Sequence, residues 1–112
     1  MSLPLVQTAM PLRRYSVSDI EFTVLGEIVT RDDRDYRYLL AAVPMGEPKP
    51  LLFLSCEPLP EGGFGMYAYT QFEAKPVGAK DDWGDVDVFA TDAMMIADKL
   101  LKLDGQEAVR LL

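Results

Sequence analysis

Histidine and asparagine are both missing from this chain, and cysteine occurs once, as Cys56. Without histidine, no serine or cysteine nucleophile can be activated by an imidazole base from the same chain. The usual zinc sites need histidines or several cysteines, so they are excluded too. Without asparagine there is no Asn-x-Ser/Thr glycosylation acceptor. A single cysteine cannot form an internal disulfide, which favours a reducing, cytoplasmic setting. Also lacking are any apolar run near the ~20 residues of a membrane span and the basic-then-apolar layout of a signal peptide. No partner in the membrane is expected.

What is present suits one soluble domain over residues 1–112. Hydrophobic residues make up 49% of the chain, enough for a core rather than disorder. The net charge of −7 opposes binding of phosphate backbones, so no nucleic-acid partner is expected. Five of the six arginines, Arg13, Arg14, Arg31, Arg34 and Arg37, fall in the first third, whereas residues 61–112 carry ten acids against five bases.

Residues 1–12, with Pro4 and Pro11, read as an N-terminal arm lying on the body or on a partner. Ile20–Thr30 alternates with period 2, as a half-buried strand does, and Gly26 marks a candidate bulge. The charged stretch from Arg31 to Asp35 reads as a solvated hairpin connection. Tyr36–Met45 and Leu51–Cys56 predict strands apolar on both faces. Phe64–Lys75 predicts a fourth strand, with Tyr67, Tyr69, Gln71 and Glu73 on one side and Met66, Ala68, Thr70 and Phe72 on the other. Pro76–Gly84 reads as a turn and Asp85–Ala90 as a further alternating segment. A helix is expected from Thr91 or Asp92 to Leu103, capped by one of those two side chains. Ala108–Leu112 reads as a short terminal helix. Strands first and helix last predict an α+β fold: a curved antiparallel sheet of four to five strands with a C-terminal helix packed on one face.

Few residues suggest chemistry. Asp81, Asp82, Asp85 and Asp87 crowd one turn but miss calcium-loop spacing. The glycines after Glu61 lead into a strand, whereas a phosphate loop opens a helix. Nothing beside Cys56 in sequence lowers its pKa, so a buried, inert thiol is expected. Arg13-Arg14 is too short for a nucleic-acid footprint, and the close carboxylate pairs lie in expected turns. No catalytic residue, metal ligand or cofactor is assigned.

Two candidate binding features remain. Tyr67 and Tyr69 form an aromatic stripe of the kind enriched at interfaces. The helix is apolar over about 180°, wider than the roughly 100° stripe a sheet covers. That leaves Met94 and Leu101 at the edge of the arc to be covered by the arm, by the tail or by a second copy, with Leu100 in the core. The expectation is a small acidic non-catalytic protein-interaction module, similar in profile to bacterial accessory proteins, binding a protein partner or itself as a homodimer. The alternatives are a small-molecule binder with a pocket between sheet and helix, touching Tyr67 or Tyr69, and an enzyme of carboxylate or tyrosine chemistry.

Overall fold

A computed structural model describes residues 3–112. Its strands are β1 (Val6–Val17), β2 (Ile20–Thr30), β3 (Tyr38–Pro44), β4 (Leu52–Pro58), β5 (Phe64–Tyr69) and β6 (Ala74–Lys80). Helix α1 (Val86–Leu101) and a two-residue β7 (Val109–Arg110) follow. The strands form one antiparallel sheet in the order β6-β5-β4-β3-β2-β1-β7. The first six make a simple meander, since each connection is too short for a crossover. The segment between β6 and β7, α1 included, takes the chain from the β6 edge to the β1 edge, where β7 pairs with Tyr15 and Ser16. The first turn of α1 lies against β1, through Asp87 and Arg13, and its last turn near the ends of β4 and β5.

The α+β class is as expected, but the sheet has seven strands rather than four to five. The arm is largely strand β1, joined to β2 by the two-residue turn Ser18–Asp19; residues 1 and 2 of it lie outside the described residues. Pro11 hid this strand, yet an edge position tolerates a missing donor. The expected fourth strand is two strands, because Thr70–Glu73 forms a hairpin without glycine, proline or asparagine. Pro76 and Gly78, read as a turn, belong to edge strand β6. The segment after Asp85 is helix, and Ala108–Leu112 contributes β7 instead of a terminal helix.

Gly26 does sit at an irregularity. The β1–β2 register slips between the Thr8 and Met10 pairs, and Glu27 adopts φ 49°. The Leu12 side chain lies so close over Gly26 that a Cβ there would meet it at 2.5 Å.

The Asp85 side chain caps α1, accepting from the N–H groups of Asp87 and Val88 at 2.9 and 3.3 Å. Phe89, Ala90, Ala93 and Ala97 form its buried stripe. The alanines let the helix approach closely, and Phe89 stacks on Tyr38 with ring centroids 5.6 Å apart. Facing them are Phe22, Val24, Leu40, Ala42, Leu54, Cys56, Met66 and Ala68. Leu100 departs from expectation, being 36% exposed. It points toward the sheet but lies in the last turn, where the helix passes the ends of β4 and β5. Alternate residues of the same strands, Leu39, Ala41, Phe53 and Tyr69, build a second cluster on the face away from the helix, with Leu3, Val6 and Ile28 packed against it. Coverage on both faces explains why β3 and β4 are almost wholly buried.

Candidate functional site

Tyr69, the last residue of β5, is buried on the helix-free face. Its ring meets Tyr36 edge-on at 6.5 Å and Tyr67 at 6.4 Å. The Arg34 guanidinium sits 4.8 Å over its centroid, a cation–π contact. The Tyr69 hydroxyl donates to Glu57 Oε2 at 2.6 Å, and the Ser55 hydroxyl donates to the same oxygen at 2.5 Å. Burial, with the nearby Glu57 carboxylate, pushes the Tyr69 phenol far above its ordinary value.

The neighbouring turn completes this network. Arg34 donates to the Tyr36 hydroxyl at 3.1 Å, and that hydroxyl donates to Asp32 at 3.2 Å. Asp32 also accepts from the Leu5 and Arg34 N–H groups and from Thr30 Oγ1, at 3.1, 3.0 and 3.2 Å. Burial alone would raise its pKa, but these donors outweigh it and hold the carboxyl below the ordinary range. Burial pushes the Tyr36 phenol up to about 12. The segment expected to be a solvated connection is thus tied down by Asp32. Sequence reading missed this, because the donors to Asp32 come from both sides of the turn and from the N-terminal segment.

Tyr67 and Tyr69 therefore do share a face, as the alternation predicts. That face points away from the helix, so a ligand between sheet and helix would not touch them. The groove that exists between β6 and α1 is lined instead by Val77, Gly78, Trp83, Met95, Ile96 and Lys99, with a volume near 290 Å³. Trp83 anchors its wall, donating from Nε1 to Asp92 at 2.8 Å, while Lys80 approaches the same oxygen at 2.9 Å. The Trp83 bond, then Lys80, lower the Asp92 pKa. Met94 and Leu101 are half-buried against the helix-side core, whereas Met95 and Leu100 are the exposed apolar residues of the helix.

The remaining candidates are engaged structurally. Cys56 is fully buried, its Sγ 3.3 Å from the Trp83 carbonyl, and burial pushes the thiol up to about 12. Arg13 pairs with Asp87 at 3.0 Å and Arg14 with Glu21 at 3.2 Å. In the acidic turn, Asp85 serves as the helix cap and Asp87 as the partner of Arg13. Among the described residues, no three His, Cys, Asp or Glu side chains converge as a metal site would require. No described helix is long and apolar enough to cross a membrane.

A different surface stands out at the end of the sheet where the β3–β4 and β5–β6 turns meet the last turn of α1. Phe72, at the tip of the β5–β6 hairpin, is 82% exposed. Met45 and Leu51 are also exposed. Beside them runs a hollow of about 620 Å³ lined by Leu3, Pro44, Pro50, Leu51, Phe72 and Leu101, with Glu47 and Lys49 on its rim. The hairpin tip is held firmly. Thr70 Oγ1 accepts from the N–H groups of Phe72 and Glu73 at 3.3 and 3.2 Å, and Thr70 N–H donates to the Glu73 carbonyl at 2.9 Å. Leu101, expected at the margin of the apolar arc, lies in this hollow. Phe72 was assigned from alternation to a strand face, which concealed that a turn displays it.

No protein-family model, curated protein or solved structure matches the chain.

Proposed function

We propose that this chain is a small non-catalytic protein-interaction module, cytoplasmic in keeping with its single free thiol, that docks through the apolar end of its sheet. The observation that carries the reading is Phe72, a large aromatic presented on a braced hairpin tip beside an apolar hollow. Such rings, pre-positioned at low entropic cost, are the usual anchors of interfaces. A tip that only reversed the chain would favour glycine, asparagine or aspartate. The side chains that could support catalysis are turned inward on one another: Glu57 is engaged by Ser55 and Tyr69, and Cys56 is sealed in the core. A role as an accessory protein, bacterial in profile, fits this small acidic body.

Small-molecule binding is a second reading, favoured by the groove beside Trp83. Its size is at the lower limit for ligand pockets. The protein-docking reading is tested with a photo-crosslinking phenylalanine analogue at position 72, introduced in the cells that make the protein. The expected result is a discrete protein adduct, absent when the probe is placed at Val29, which is exposed elsewhere. No adduct at position 72 would overturn the reading.

A further inference from the structure

We infer that the occupant of the apolar end is a second copy of this chain, with each Phe72 seated in the other copy's hollow. This rests on the docking reading above and names its partner. Phe72 protrudes, and the apolar hollow beside it, of which its ring forms one wall with Leu3, Pro44, Pro50, Leu51 and Leu101, is unfilled among the described residues. A surface on which an exposed ring borders an apolar hollow can serve as its own complement. A two-fold axis between them makes the two insertions simultaneously, in the isologous arrangement typical of dimers.

Charge favours the same occupant. The whole chain carries −7, so most of its surface repels a copy of itself. The apolar end is balanced. Glu47 and Lys49 edge the hollow, while Glu73 and Lys75 flank Phe72 and approach each other to 4.0 Å. A strongly acidic or basic peptide, or an anionic lipid surface, finds no net opposing field here. A second copy brings both signs to both signs.

The strand edges and the polar face are poorer routes to self-association. The outer edge of β1 is unpaired before Arg14, but it carries Pro11 and three register irregularities against β2. Such features protect edges from pairing. The β6 edge presents Lys75, Pro76 and Lys80. The polar groups of the Tyr69 network are already bonded within the chain.

The test is sedimentation velocity on the purified full chain, from low micromolar to several hundred micromolar, comparing wild type with Phe72→Ala and Leu51→Lys. Both side chains are exposed, so the variants keep the fold, which the emission of buried Trp83 verifies. Wild type should pass from monomer to dimer mass across this range, and more readily as salt screens the net negative charge. Losing an anchor of this kind weakens binding roughly thirty-fold, and two are lost per dimer, so Phe72→Ala should weaken dimerisation by about a thousand-fold. Leu51→Lys keeps the knob but places a charge in the hollow, so it too should remain monomeric. A wild type that stays monomeric throughout, or a Phe72→Ala or Leu51→Lys protein that dimerises like wild type, would overturn the inference. If wild type is monomeric while the position-72 probe still captures another protein in cells, the second copy is excluded and the docking reading stands. If the probe captures nothing, the docking reading itself falls.

Discussion

Replacing Phe89 by alanine removes the side chain on which helix and sheet meet. Phe89 is fully buried and stacks on Tyr38. A phenylalanine buries roughly 150–250 Å², which at about 25 cal/mol per Å² sets an upper limit near 4–6 kcal/mol. Alanine retains part of that area, and the lost stacking and new cavity add to the cost, so a loss of about 3–5 kcal/mol is expected. A domain of this size has a total stability of about 5–15 kcal/mol, so the variant would sit near the margin of folding. Leu100→Ala supplies the contrast. With 36% of Leu100 exposed, water fills the vacated space, no sealed cavity forms, and the loss should be about 1 kcal/mol. Urea unfolding followed by Trp83 emission measures both, since the indole is buried in the native state. With a slope of about 2 kcal/mol/M, Phe89→Ala should lower the midpoint by roughly 2 M. Equal losses at the two positions, or a Phe89→Ala midpoint close to wild type, would refute the packing of α1 on this face.

Two further outcomes follow from the site geometry. The Cys56 thiol should react with a thiol reagent far more slowly in the native than in the denatured protein, because it is buried and its pKa is pushed up to about 12; equal rates would refute its burial. Asp92 is more acidic in the folded than in the unfolded chain, so its contribution is present above the ordinary carboxylate pKa of 3.8 and is lost as pH falls through the lower folded value; Asp92→Asn should therefore be less stable than wild type at pH 6 with a gap that narrows below pH 4, and a gap unchanged across that range in urea titrations would contradict the role of the carboxylate.

Burial was legible in the sequence wherever periodicity was clean. Phe22 and Val24, and the Met66/Ala68 against Tyr67/Tyr69 division, follow the observed faces. The alternation through Ile28 does not, since past the irregularity at Gly26 Ile28 packs on the opposite face, and the apolar run Leu51–Cys56 is buried except at Leu51. Boundaries failed where edge positions and turns lacked their usual markers. Pro11 and Pro76 read as breakers, yet each lies in a strand at or next to a sheet edge, where a missing donor is tolerated. The segment from Val86 to Ala90 satisfies both periods over so few residues that alternation concealed a helix start. The cap at Asp85 was the available signal, and Asp92 proved to be the acceptor for Trp83 instead.

The candidate site was harder to read for a physical reason. Tyr67 and Tyr69 attracted notice because polar aromatic rings on a strand suggest recognition, yet the Tyr69 hydroxyl is satisfied internally by Glu57, and its ring is covered by Arg34. A group with its hydrogen bonds made and its face covered has little left to offer a partner. Phe72 shows the opposite balance. Alternation places it on one strand face with Met66, Ala68 and Thr70, and only the fold shows that the chain reverses at Thr70 and turns the ring to water. An exposed apolar ring gains from being covered, whereas a satisfied polar network loses hydrogen bonds when opened. That asymmetry is why Phe72, rather than the more conspicuous tyrosines, anchors the proposed docking surface.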